Sequence, residues 1–120
     1  PYAFNRKEIK DHGDRGSFVG CEVKGNALVV DDVISSGSSI IESIELLEKS
    51  NAFCKDVLVA FNRMEIGKSK TASSELEDDY KVKTHFLIDL NDIYDYVKSN
   101  SKYNMYVQSM DEYISKYKRV

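Results

Sequence analysis

Residues 28–40 read Leu-Val-Val-Asp-Asp-Val-Ile-Ser-Ser-Gly-Ser-Ser-Ile, and no other stretch restricts the fold so tightly. An apolar run meets two adjacent carboxylates, Asp31 and Asp32. Four hydroxyl residues, Ser35, Ser36, Ser38 and Ser39, then surround Gly37, and an amphipathic pattern follows. This is the order of a strand that turns directly into a helix. Hydroxyls and free backbone N–H groups at the positive end of a helix suit a phosphate. Paired carboxylates suit the hydroxyls of a ribose, so the turn predicts a sugar phosphate. A plain Ser/Gly turn after a solvated acidic strand end is the simpler reading of either half. The two halves in this order argue against it.

The pattern after the turn is helical. Ser39 followed by Glu42 predicts a capping box with Ser39 as N-cap. Ile40, Ile41, Ile44 and Leu47 share one face, with Glu42, Glu45, Glu48 and Lys49 largely opposite. Asn51 is a suitable stop. Residues 57–61 form a short apolar run, read as a buried strand. Strand, helix and strand make a parallel βαβ unit with a right-handed crossover. Ligands of such sheets sit beyond the carboxyl ends of the strands. Asp31 and Asp32 are expected to end the first strand, and Asn62 and Arg63 the second.

Arg6, Lys7, Lys10, His12 and Arg15 fall within ten residues, with Gly13 and Gly16 beside them. Cationic donors of this kind neutralise a diphosphate leaving group. His12 can supply a proton near neutral pH, and a glycine-rich basic loop can close as a lid. Glu8, Asp11 and Asp14 interleave with the cations. On charge pattern alone a solvated surface loop is therefore the better reading.

The rest of the chain reads as scaffold. Phe18, Cys21 and Val23 suggest a strand, residues 64–70 a polar connection, residues 71–80 a helix and residues 82–88 another strand. His85 in that strand is expected to be structural or at the surface. Asp89 is expected to cap a helix with Leu90, Ile93, Tyr96 and Val97 on one face. Residues 105–117 look helical, with Tyr106, Tyr113 and Tyr117 as packing and surface residues. The 120 residues allow one domain with a modest core. A net charge of −3 argues against nucleic acid as a partner. No apolar run approaches the ~20 residues of a membrane span, so no membrane partner is expected. Cys21 and Cys54 lack zinc-like spacing and read as reduced thiols, which points to the cytoplasm.

Three strings resemble a known family. Residues 29–39 resemble the phosphoribosyl-diphosphate-binding motif of type I phosphoribosyltransferases. The family's usual Thr-Ala-Gly-Thr is here Ser35-Ser36-Gly37-Ser38, which keeps hydroxyls at both threonine positions. Residues 4–13, Phe-Asn-Arg-Lys-Glu-Ile-Lys-Asp-His-Gly, resemble the mobile catalytic loop of orotate phosphoribosyltransferases, which few other members carry. Asn62-Arg63-Met64-Glu65 resembles that family's Asp-Arg-Gln-Glu. The resemblance runs from Pro1 to about Tyr96.

The resemblance implies an α/β fold of the type I phosphoribosyltransferase kind, a mostly parallel sheet flanked by helices and incomplete on its N-terminal side. Residues 1–120 would be the C-terminal part of one domain. Within it, residues 1–25 would hold the mobile loop and a strand, residues 26–63 the phosphoribosyl-diphosphate-binding βαβ unit, and residues 64–120 the completing strand and helices. The implied reaction joins orotate to 5-phosphoribosyl 1-diphosphate with Mg²⁺, giving orotidine 5′-monophosphate. Asp31, Asp32, Lys10 and His12 would be catalytic. Arg6, Lys7, Lys10, His12, Asp31, Asp32, Val33, Ile34, Ser35, Ser36, Gly37, Ser38 and Ser39 would bind the phosphoribosyl diphosphate, and Ser35 and Arg63 the orotate. No side-chain cluster is expected to hold the metal by itself. A homodimer is implied, its basic loop reaching the neighbour's site. The family's chains are longer, and the segment that covers the base and adds a catalytic lysine would lie before Pro1, so the chain is expected to be a fragment. Two other readings stay open: a phosphoribosyltransferase for another base, and a non-catalytic regulatory relative that keeps the phosphate turn.

Overall fold

The structure is a computed structural model and describes residues 1–5, 18–67 and 69–117. β1 (Ala3–Asn5) and β2 (Phe18–Gly20) form an antiparallel pair. β3 (Gly25–Ile34), β4 (Ala52–Asn62) and β5 (Lys83–Asp89) form a parallel sheet in chain order. Helix α1 (Ser38–Lys49) connects β3 to β4, and α2 (Ala72–Tyr80) lies between β4 and β5. α3 (Leu90–Ser99) follows β5 directly, and a 3₁₀ turn (Ser101–Tyr106) leads into α4 (Val107–Tyr117). The expected parallel sheet flanked by helices is present.

Register shows how the sheet is covered. Val29, Val57 and Thr84 are paired neighbours, as are Asp31, Val59 and Phe86. Val57 and Val59 are fully buried on this side, in one core with Ile40 and Ile44 from α1 and Ala72 and Leu76 from α2. Truncating a residue such as Ile44 to alanine would cost about 2–5 kcal/mol. The alternate row, Val30, Leu58 and His85, points the other way, because side chains alternate along a strand. Much of that face is open, with Val30 67% exposed and Leu87 73%.

The helix ends follow local chemistry. Thr71 caps α2 by accepting from the Ser74 N–H at 3.4 Å. Asp89 caps α3 through the N–H groups of Asn91 and Asp92, and Asp92 returns the bond to the Asp89 N–H. That capping box makes the expected start of α3 correct. α1 ends at Lys49, and Asn51 adopts the left-handed conformation just beyond it. The expected stop is thus in place.

Several boundaries differ from expectation. β3 runs on through Ile34, so Asp31 and Asp32 lie inside the strand rather than at its end. Pairing of Val33 with Phe61 and Ile34 with Asn62 carries the ladder past them. Ser39 is not the N-cap of α1. Gly37, at φ 78° and ψ 0°, turns the chain, and its carbonyl accepts from the Ile41 N–H at 3.0 Å. The Ser39 hydroxyl is drawn to the Asp31 carboxylate instead. Cys21 lies just past β2, where its N–H donates to the Tyr2 carbonyl at 3.0 Å. The last α-helix starts at Val107 rather than Met105, because Asn100 caps a 3₁₀ turn first, accepting from the Lys102 N–H.

Candidate functional site

The turn between β3 and α1 is built from small residues around one obligatory glycine. A left-handed φ costs an L-residue about 1–2 kcal/mol and glycine almost nothing. A Cβ placed on Gly37 would also sit 3.4 Å from the Ala72 Cβ. The turn therefore rests on α2. Ile34 and Gly37 are buried and Ser35 is half-buried, while Val33, Ser36, Ser38 and Ser39 are exposed. Ser36 and Ser38 share a hydroxyl hydrogen bond at 3.2 Å. The hydroxyls expected to meet a phosphate thus ring the start of α1, where N–H groups are unpaired.

The carboxylates stand beside this turn. Asp31 Oδ1 accepts from the Asp32 N–H at 2.9 Å, and Asp31 Oδ2 accepts from the Ser39 hydroxyl at 3.1 Å. Asp32 is exposed and its carboxylate makes no hydrogen bond among the described residues. A cleft of ≈ 560 Å³ opens here, with Asn5, Asp31, Asp32, Ser39, Glu42 and Ser43 on its walls. Asn5, Glu42 and Ser43 were not expected there. Ser43 and Glu42 follow Ser39 by one helical turn, which is the signal that could have found them.

Arg63 follows the last residue of β4. Its backbone N–H donates to the Ile34 carbonyl at 3.0 Å, which ties the second strand end to the start of the hydroxyl turn. The chain then reverses: Met64 has φ 54°, and its N–H donates to the Asn62 side-chain oxygen at 2.9 Å. The Arg63 Nε and Nη2 donate to the Tyr113 hydroxyl at 3.0 and 2.7 Å, and Nη2 also meets Glu65 Oε1 at 2.8 Å. The Tyr113 hydroxyl donates to Glu65 Oε1. That phenol, with Glu65 behind it, holds the guanidinium pKa above its ordinary value. Burial and the bond to Glu65 in turn push the Tyr113 hydroxyl pKa up. Tyr113 was expected only to pack, and nothing local in the sequence marks it.

Arg6, Lys7, Lys10 and His12 lie outside the described residues. A second hollow, of ≈ 510 Å³, is lined by Leu28, Asp56, Leu58 and His85 among others, and by none of the expected site residues. His85 is at the surface, as expected, with Nε2 2.8 Å from the Asp56 carboxylate. Cys21 and Cys54 are both free. No described helix is long and apolar enough to cross a membrane.

No family model matches the chain. Individual relatives do. It is 41% identical over 118 residues to the orotate phosphoribosyltransferase of Actinobacillus pleuropneumoniae, covering 98% of this chain and 55% of that relative. It is 40% identical over 114 residues to the Haemophilus influenzae enzyme of the same name, covering 94% and 54%. Among solved structures, the orotate phosphoribosyltransferase of Francisella tularensis superposes with a TM-score of 0.73 at 29% identity, over 98% of this chain and 53% of that one. The chain spans about half the length of the curated relatives it matches. In sequence and in fold, it belongs to the orotate phosphoribosyltransferase family and corresponds to the later part of that family's chains.

Proposed function

We propose that the protein transfers the phosphoribosyl group of 5-phosphoribosyl 1-diphosphate to orotate, giving orotidine 5′-monophosphate and diphosphate in pyrimidine biosynthesis. The observation that carries this reading is the bond from the Arg63 N–H to the Ile34 carbonyl. It brings a turn suited to a sugar phosphate next to a cation suited to a carboxylated base. In the reaction the C1′–O bond to diphosphate breaks, the C1′–N1 bond to orotate forms, and the N1 proton is released.

Each group has a task. Ser35, Ser36, Gly37, Ser38 and Ser39 receive the 5′-phosphate through hydroxyls and N–H groups, with Val33 and Ile34 leading the chain into the turn. Asp31 and Asp32 hold the ribose hydroxyls and place negative charge near a ribose that becomes cationic in the transition state. The Asp31–Ser39 bond fixes one carboxylate to the phosphate turn. Arg63 pairs with the orotate carboxylate, and Ser35 contacts the base. Arg6, Lys7, Lys10 and His12 neutralise the departing diphosphate, acting across a homodimer from the neighbouring subunit. Residues 1–25, 26–63 and 64–120 thus serve as lid segment, phosphoribosyl unit and completing scaffold of one cytoplasmic domain.

Mg²⁺ fits this donor set. Among the described residues no group of three or more His, Cys, Asp or Glu side chains could cage a metal. Two adjacent carboxylates at a cleft suit a cation that keeps mostly substrate oxygens and water. When bound, it would screen the charge of the diphosphate. Asp31 and Asp32 are the side chains placed to meet it or its waters.

Turnover by the full-length protein tests the reading. Supplied with 5-phosphoribosyl 1-diphosphate and one base at a time, it should consume orotate and leave uracil and purines unchanged. Equal use of another base, or none of any base, would overturn it. The same assay on mixed Lys10→Ala and Asp32→Asn dimers reports the cross-subunit loop. Activity returns on subunit exchange only if the loop acts on the neighbour.

A further inference from the structure

We propose that Tyr113 is a positioning residue, holding the Arg63 guanidinium in the orientation from which it meets the carboxylate of the base. The inference rests on the reading of Arg63 above and goes beyond it, to a residue in the last helix that no motif marks.

A phenol offers one O–H donor and two acceptor positions, and Tyr113 uses all of them. It accepts from Arg63 Nε and Nη2 at 3.0 and 2.7 Å and donates to Glu65. One edge of the guanidinium is therefore fixed, while Nη1 makes no hydrogen bond among the described residues. A planar cation held along one edge presents its free nitrogen in a defined direction, which a carboxylate can use. Glu65 alone would do less. Ion pairs that stay in contact with water hold long side chains weakly, and the Arg63 side chain is 40% exposed.

The helix that delivers Tyr113 is itself anchored at this corner. The Ile66 N–H donates to the Tyr117 carbonyl at 2.9 Å. The Tyr113 and Tyr117 rings pack with centroids 4.8 Å apart. The Arg63 Cζ lies 5.6 Å from the centre of the Tyr113 ring. Both ends of the contact are fixed before any ligand arrives, so less ordering is left for binding to supply.

The test is Tyr113→Phe in the full-length enzyme, which keeps the ring and removes only the hydroxyl. KM for orotate should rise about three- to tenfold. KM for 5-phosphoribosyl 1-diphosphate and kcat should stay within about twofold. In an Arg63→Ala background, Tyr113→Phe should add nothing further to the orotate KM. Should Tyr113→Phe not fold, Tyr113→Met carries the test with the same split, since it fills much of the ring's space and offers no hydroxyl to Arg63. A rise in both KM values together, or a fall in melting temperature with an unchanged orotate KM, would make Tyr113 a packing residue and overturn the proposal. Two failures are distinguishable. Weak orotate binding in Arg63→Ala with normal binding in Tyr113→Phe removes the positioning role alone. Normal orotate binding in Arg63→Ala removes the role of Arg63 and the positioning with it.

Discussion

The two corners of the site are built in opposite ways. At the turn after β3, the side-chain hydrogen bonds are all made within eight residues. Ser36 bonds Ser38, Asp31 bonds Ser39 eight positions away, and the Gly37 carbonyl bonds the Ile41 N–H. At the corner after β4, the key side chain depends on a partner fifty positions away, Tyr113. The first corner takes its side-chain hydrogen bonds from its own stretch of chain, although it packs on α2. The second exists only when the last helix has docked. In the proposed function the first corner wraps a phosphate, a task that small groups and N–H donors serve well. In the same reading the second corner presents one cation in one direction, and for that it draws on long-range support.

Three substitutions would sharpen or break this contrast. The largest effect is expected from Arg63→Ala, measured as affinity for each substrate in the full-length enzyme. Loss of a charge-assisted pair should weaken orotate by about 2–3 kcal/mol and leave 5-phosphoribosyl 1-diphosphate nearly unaffected. Equal losses for both would mean that the two corners do not divide the ligands between them. Next, Asp32→Asn should lower turnover by about tenfold or more, with a smaller change in substrate affinity, because its charge matters most in the transition state. An unchanged kcat would take Asp32 out of the chemistry. The smallest effect belongs to Gly37→Ala. It should lower folding stability by about 1–2 kcal/mol through its positive φ, measured by denaturant unfolding, and weaken the phosphoribosyl ligand more than orotate. A fully stable variant with normal affinities would show that the turn tolerates a side chain, contrary to its geometry.

The same contrast explains what the sequence revealed. The βαβ unit was legible because Ile40, Ile44 and Leu47 recur at helical spacing and residues 57–61 form an unbroken apolar run. The Asp89 cap was legible because a cap acts within three residues. The strand boundaries were not. β3 continues past two aspartates because its partner, β4, pairs with it there, and pairing is invisible in one strand. The Ser39 capping box failed because a carboxylate eight positions earlier won the hydroxyl. Tyr113 was missed altogether: three tyrosines in the terminal segment look alike until the fold brings one of them to Arg63.

Gly37 and Ala72 illustrate a different kind of dependence. The turn sits on α2 so closely that a Cβ on Gly37 would touch the Ala72 methyl group, 3.4 Å away. Their permitted residues are therefore not independent as lineages diverge. Enlargement at 72, as in Ala72→Val, would press on the turn although that residue is buried and far along the chain. Such a change would surface as a defect in substrate handling rather than as a misfolded helix. In a survey of variants, position 72 would then be scored with the turn proposed to bind phosphate, despite carrying no chemistry of its own.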